Sequence, residues 1–335
     1  MKKFYFVFLI AAILVCIESC DNPQVKHKRP MHEAKRAMYH WKNTCNLSHE
    51  ETAFLKRHKI GRLYIRFFDV TLENLLDGKG VQAIPTASVR FEDDWRWNYN
   101  DLDLPEIVPT VFITPEAVGN IYNNKQTPVI VQKMLERIDN MRSFYNIPKD
   151  RINEIQLDCD WTTSTEQAFF RFCKEVRRQM SGKALLSSTI RLHQLQRPAP
   201  PVDYGVLMLY NTNNLRDPSV ENSILSANDV KPYLRKVHYD LPLDLAYPTF
   251  AWDLWFQNGK FCCILRSERQ ADSLRQAGEM VRHEEVSFDE IMKVKRIVET
   301  CLPKPKHNRS IILYHLDRNN IKRYSDHEIE TIYSR

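Results

Sequence analysis

Eight short apolar stretches recur along the chain, and stretches of helical periodicity separate most of them. They run Arg36–Lys42, Arg62–Val70, Ile107–Ile113, Glu154–Thr162, Ala184–Leu192, Tyr204–Tyr210, Leu241–Trp252 and Ser310–Leu316. Each is of strand length. The intervening helical stretches carry their own start signals. Ser48 with Glu51 forms a capping box for Ser48–His58, Pro128 opens a helix with Ile130, Met134, Ile138, Met141 and Tyr145 on one face, and Ser164 with Gln167 forms a box for Ser164–Met180. Ala227–His238, Phe288–Cys301 and Asp326–Tyr333 complete the helical set, and Phe261–Leu265 reads as a hairpin arm. Strands that alternate with helices imply a parallel sheet, and a count of eight implies closure into an α/β fold of the (β/α)8 barrel type in one domain. An open doubly wound sheet is the alternative. Only eight glycines occur in 335 residues, and no Gly-x-Gly-x-x-Gly turn follows an early strand, which weighs against it.

The ends of the chain belong to something else. Lys2 and Lys3 precede the apolar run Phe4–Ile17, which is too short to span a bilayer and reads as a removable export signal over residues 1–19. Ile17-Glu18-Ser19-Cys20 resembles a bacterial lipobox. That resemblance implies a lipid on Cys20 and an exported protein anchored to a bacterial cell envelope; a plain secretory signal is the alternative. Residues 20–30 lack apolar periodicity and read as a tether, leaving 31–335 for the barrel. The formal charge of +6 is spread among interleaved acids and bases without a block of basic residues and regular aromatics, so nucleic acid is not an expected partner. Cys45, Cys159, Cys173, Cys262, Cys263 and Cys301 show no Cys-x-x-Cys spacing and read as buried free thiols in a chain large enough to fold without disulfides. A monomer without cofactor or metal is expected.

The fourth stretch carries the chemistry. Alternation along a strand puts Gln156, Asp158 and Asp160 on one side and Ile155, Leu157, Cys159 and Trp161 on the other. Carboxylates roughly 7 Å apart on an enclosed face raise each other's pKa, and one of them becomes an acid. Arg191 and His193 on the fifth stretch face the same way. If Arg191 reaches Asp158, that carboxylate stays ionised and Asp160 takes the shared proton; a purely structural Asp158–Arg191 ion pair inside the barrel is the other reading.

Leu157-Asp158-Cys159-Asp160-Trp161, Leu186-Ser187-Ser188-Thr189-Ile190-Arg191-Leu192-His193-Gln194 and Leu207-Met208-Leu209-Tyr210-Asn211 resemble a Bacteroidetes lipoprotein family of unknown function. More distantly, Asp-x-Asp on strand four and Met-x-Tyr-Asn on strand six resemble the chitinase-type glycoside hydrolases of family 18. Those enzymes carry Asp-x-Asp-x-Glu and Met-x-Tyr-Asp/Asn on the same strands. The resemblance implies that Asp158 and Asp160 take the Asp positions, that Tyr210 steadies the substrate's acetamido group, and that Asn211 follows it. The acid's own position is Thr162, and the family's Ser-x-Gly-Gly is missing from Ile107–Thr114. Either the register is shifted, so that Gln156, Asp158 and Asp160 fill the three positions and Asp160 is the general acid, or the barrel binds glycans without cutting them.

A glycan or oligosaccharide is therefore the expected partner, alongside a membrane held through Cys20. Asp160 and Asp158 are the candidate catalytic residues. Tyr210, Asn211, Arg191, His193, Gln156, Trp252, Trp95 and Trp97 are the candidate sugar contacts, the last two because they lie in a polar loop where a flat apolar face can serve as a platform. His40, His193 and His315 near strand ends lack His-x-His or His-Glu-x-x-His spacing, so no metal is expected.

Overall fold

The computed structural model describes residues 32–74, 80–92, 105–180, 184–235, 237–303 and 309–334. The predicted signal segment and tether with Cys20, and the loop tryptophans Trp95 and Trp97, lie outside the described residues.

In chain order, β1 (Arg36–His40) and the two-residue β2 (Thr44–Cys45) lead into α1 (His49–Arg57), which the Ser48/Glu51 capping box opens as expected. The long β3 (Arg62–Asn74) then turns back through β4 (Val81–Thr86), and β5 (Arg90–Phe91) pairs with β2. Next come β6 (Glu106–Ile113), α2 (Pro115–Asn123), α3 (Thr127–Phe144), β7 (Glu154–Asp158), α4 (Glu166–Gln179), β8 (Leu185–Ile190), β9 (Tyr204–Met208), α5 (Ala227–Leu234) and β10 (Leu243–Pro248). An insertion follows, formed by β11 (Trp252–Gln257), β12 (Lys260–Ile264), α6 (Glu268–Gln276) and β13 (Met280–Glu284). The chain ends with α7 (Phe288–Cys301), β14 (Ile311–Tyr314) and α8 (Asp326–Tyr333).

Eight parallel strands close on themselves in the order β1, β3, β6, β7, β8, β9, β10, β14, because β1 pairs with β3 on one side and β14 on the other. The expected (β/α)8 barrel is the observed fold. Two local expectations change and one holds. Helix α4 begins after Thr165, without a side-chain cap from Ser164, since Thr162 and Ser164 hydrogen-bond each other instead (Oγ1 to Oγ, 3.0 Å). Helix α3 turns the expected face to the core, with Met134 and Ile138 buried and Ile130, Met141 and Tyr145 partly so, and buries Thr127 and Val131 beside them. The seventh strand stops at Pro248, and Trp252 begins the separate antiparallel sheet β12-β11-β13.

The apolar sides of the strands meet the helices, with Trp161 fully buried against Phe169 and Phe170 of α4. The inside of the barrel is packed with polar and aromatic side chains. The Tyr39 hydroxyl donates to Gln156 Oε1 (2.8 Å), Gln156 Nε2 donates to Ser187 Oγ (3.3 Å), and Ser187 Oγ donates to Glu154 Oε1 (2.5 Å). Burial holds the Glu154 carboxyl above the usual carboxylate range even though Arg62 lies 3.8 Å away. Gln156, expected to touch sugar, is thus an enclosed part of this network with no exposed surface. Where Gly205 of β9 meets its neighbours, an added Cβ would come within 2.7 Å of Ile190 and 2.9 Å of Leu243, so only glycine fits without repacking.

The N-terminal end of the barrel is closed. The His32 ring stacks on Tyr204 at 3.8 Å between centroids, and its Nε2 lies 2.8 Å from the buried Asp244 carboxylate. On the outside, Lys295 of α7 is almost fully buried and its ammonium donates to three carbonyls at the end of α8: Thr331 (3.2 Å), Ile332 (3.1 Å) and Ser334 (2.5 Å). A positive charge there also meets the negative end of the helix dipole. Lys295→Met is expected to cost about 2–3 kcal/mol, the scale for several charge-assisted bonds left unmade. Urea unfolding of the two proteins measures it; a loss below about 0.5 kcal/mol would mean that solvent satisfies those carbonyls equally well.

Candidate functional site

Asp158 is the last residue of β7 and lies level with Phe112 of β6, which in turn is level with Asp69 of β3. Parity turns Asp158 inward at the C-terminal mouth. There Thr189 Oγ1 donates to Asp158 Oδ1 at 2.6 Å, and Arg191 Nη2 donates to the same oxygen at 3.0 Å. Burial opposes the guanidinium charge, but Asp158 together with Tyr210, Asp160 and Tyr39 around it outweighs burial, and the Arg191 pKa lies above its ordinary value. Asp158 and Arg191 therefore form the closed ion pair that the spacing allowed.

Asp160 lies beyond the end of β7. Its side chain is 53% exposed, with His193 Nε2 3.5 Å away in the turn after β8. Thr162 points its hydroxyl at Ser164. Tyr210 is buried, its hydroxyl donates to the Met208 sulfur (3.6 Å) and its ring packs on Tyr314 at 4.5 Å; burial pushes both phenols above their usual range. On β3, Arg66 pairs with Asp69 and lies over the Trp41 and Phe112 rings at 5.4 and 5.8 Å.

The open space at this end is a cleft of about 810 Å³, displaced from the Asp158 cluster toward β1, β10, β14 and the insertion. Its floor is a continuous run of rings. Trp41 and Tyr314 are 5.8 Å apart, Tyr314 and Phe250 5.7 Å, and Phe250 and Trp252 5.1 Å. Asn211, left-handed at φ 53°, lines the cleft beside them, and Asp253, Arg266, Arg275, His283, His315, Asp317 and Arg323 supply its polar walls. Burial keeps the His315 imidazole below its usual pKa; at Asp317 burial works to raise the carboxyl, but the Lys42 ammonium and the Asn319 backbone N–H together outweigh it and hold the carboxyl low. Of the predicted contacts, Trp252 and Asn211 reach this cleft. Asp158, Arg191, Tyr210 and Gln156 are packed beneath or beside it, and Asp160 and His193 stand exposed at its far side.

Of the insertion that forms one wall, sequence reasoning read only the hairpin arm Phe261–Leu265, which falls on β12, and missed β11, α6 and β13. The signal was present: Asn258-Gly259 between Phe256 and Phe261 is a two-residue hairpin turn, and both residues adopt positive φ, 52° and 72°. It also missed Glu284, a buried carboxylate at the end of β13 that accepts from the Trp252 indole. Among the described residues no group of three His, Cys, Asp or Glu side chains is arranged to hold a metal ion. The six cysteines there are free, but only Cys45, Cys159 and Cys173 are buried as expected, and burial pushes their thiols above the usual range; Cys262 is exposed on the insertion's β12, and Cys263 and Cys301 are half-buried.

No protein-family model matches the chain. No curated protein matches it either. Solved structures do. The spore cortex-lytic enzyme SleL of Bacillus cereus is 13% identical over 88% of this chain and 75% of its own, with a TM-score of 0.52. SleL of Bacillus megaterium QM B1551 is 10% identical over 91% and 75%, with a TM-score of 0.54. The GH18 chitinase ChiB from the chitin utilization locus of Flavobacterium johnsoniae is 14% identical over 90% and 94%, with a TM-score of 0.51. At such identities the likeness is one of fold, and it extends across nearly the whole barrel.

Proposed function

We propose that this barrel binds an oligosaccharide in the ring-floored cleft without hydrolysing it. One observation carries the reading: the enclosed carboxylates at the mouth each have a basic partner. Arg66 holds Asp69, Arg191 holds Asp158, Arg275 holds Asp253 and Lys42 holds Asp317. A glycosidase acid needs an enclosure that keeps it protonated, and where the substrate's own acetamido group is the nucleophile, as in the family-18 manner, that acid is the carboxyl group the site must supply to the leaving oxygen. Asp160 is half exposed, and Thr162 stands two residues further on. The cleft itself suits sugar. The partly exposed rings of Trp41, Tyr314 and Trp252, tilted against one another and against the buried Phe250, offer apolar surface, and the polar walls offer donors and acceptors to hydroxyls. The chitinase named among the structural neighbours supports N-acetylglucosamine oligomers as the first ligand to try. The lipobox-like start supports presentation at a bacterial envelope through a lipid on Cys20, which loss of membrane association in Cys20→Ala would test.

Titration calorimetry with an N-acetylglucosamine hexamer and a panel of other oligosaccharides, paired with mass spectrometry of the products, tests the reading. Wild type and Asp160→Asn are expected to bind within about twofold of each other and to release nothing, while Trp252→Ala binds about tenfold more weakly or worse, the scale of one lost stacking ring. Release by wild type that disappears in Asp160→Asn would establish hydrolysis with Asp160 as the acid. Absence of binding across the panel would remove the glycan assignment.

A further inference from the structure

The Glu284 carboxylate is fully buried at the junction of three segments. Its Oε2 accepts from the Trp252 indole Nε1 (2.8 Å), from the Ser223 backbone N–H (2.8 Å) and from the Ser223 hydroxyl (2.6 Å). Its Oε1 lies 2.7 Å from Arg282 Nε. Arg282 in turn donates through Nη1 to the Asp217 carbonyl (2.7 Å) and through Nη2 to the Leu215 carbonyl (3.0 Å), and its guanidinium lies over Phe256 at 4.9 Å. Asn222 adds a bond to the Glu285 carbonyl (2.6 Å). The segment from Asn211 to Ser226, which joins β9 to α5, is thereby tied to β13 at both its middle and its end.

Two cleft elements depend on this one carboxylate. Trp252 is the last ring of the floor, and Asn211 is the first residue of the loop that Glu284 and Arg282 hold. We propose that Glu284 is a positioning residue for ligand binding: it fixes the Trp252 ring and the 211–226 loop together, so that both faces of the cleft are set before a ligand arrives. This rests on the reading of the cleft as a ligand site, but its structural half can be tested without a ligand. A loose ring and a loose loop would both have to be ordered on binding, and preorganisation removes that cost. A buried carboxylate with an ion pair and three hydrogen bonds is strong enough for the purpose, whereas a neutral amide in its place leaves Arg282 without a counter-charge.

The test uses the full chain with nitrogen-15-labelled tryptophan. Loss of one indole N–H resonance in Trp252→Phe assigns that signal. Ser223→Ala leaves the Glu284–Arg282 pair intact and removes one donor from the oxygen that Trp252 also uses. It is expected to shift the Trp252 indole resonance and to speed amide hydrogen exchange in 211–226 severalfold. Glu284→Gln is expected to do both more strongly and to raise the Kd for the N-acetylglucosamine hexamer about tenfold, with little further loss when Trp252→Phe is added. An unmoved indole resonance and unchanged loop exchange in Ser223→Ala overturn the coupling, whether or not Glu284→Gln folds. A wild-type protein that binds no oligosaccharide, yet responds in resonance and exchange, removes the glycan reading and leaves the positioning role of Glu284 standing.

Discussion

Asp158→Asn is expected to lower the unfolding free energy by about 3 kcal/mol, and Asp158→Asn combined with Arg191→Met to recover most of that loss. Asp158 is 2% exposed, and its bonded oxygen receives both Thr189 and Arg191. Asparagine keeps an acceptor for Thr189 but leaves the guanidinium at the barrel mouth without its counter-charge. Removing the charge from both partners takes away that penalty, which is why the double variant fares better than the single one. Chemical denaturation of wild type, both single variants and the double variant measures the cycle. A single variant within about 0.5 kcal/mol of wild type would mean that Asp158 is free to serve the ligand rather than the fold.

A second large effect is expected in acid. His40 ends β1 on the helical side; its ring is buried with neither nitrogen hydrogen-bonded to another side chain, and burial, with Lys42 and His315 nearby, lowers its pKa to about 3. Asp317 opposes the shift and does not cancel it. In the unfolded chain the imidazole takes a proton near its ordinary value of about 6.5. Between those values the unfolded state binds more protons, so stability is full above pH 6.5 and falls as the pH drops toward 3. From pH 7 to pH 4.5 this one residue removes about 2–3 kcal/mol. His315, also lowered by burial, acts in the same direction, whereas the raised Glu154 carboxyl favours the folded state in acid. His40→Leu is therefore expected to flatten the loss between pH 7 and 4.5 by most of that amount, as read from urea midpoints at the two pH values. A slope identical to wild type would show that His40 opens to solvent before it titrates.

The alternation of apolar stretches with helical stripes was enough to read the barrel, because a closed parallel sheet leaves its periodicities in every repeat. Helices α7 and α8 fall at Phe288–Cys301 and Asp326–Tyr333, the bounds the sequence suggested, and Ser287 and Ser325 cap them. The site was less legible. Parity placed Asp158 inside and Arg191 within reach of it. It could not say that the strand stops at Asp158, which leaves Asp160 to the solvent. Nor does parity extend across the barrel axis: Gln156 reads as a ligand contact until Tyr39, 117 positions away, is seen to occupy it. The cleft wall was hidden for a different reason. Its residues come from an insertion whose strands pair with one another, so Trp252 and Glu284 meet only through the register of β11 and β13.

The His32 plug gives the molecule a direction. Whatever precedes His32 joins the barrel at its sealed end, where the ring rests on Tyr204 and Asp244, while the cleft opens at the opposite end of the strands. A protein held through that leading segment is attached at the end of the barrel away from its opening. At roughly 3.3–3.6 Å per extended residue, the link from Cys20 to His32 reaches at most about 40 Å. With a lipid on Cys20, the point of attachment would lie at the end of the barrel opposite the cleft, and a link of that reach would leave the cleft clear of its own anchor.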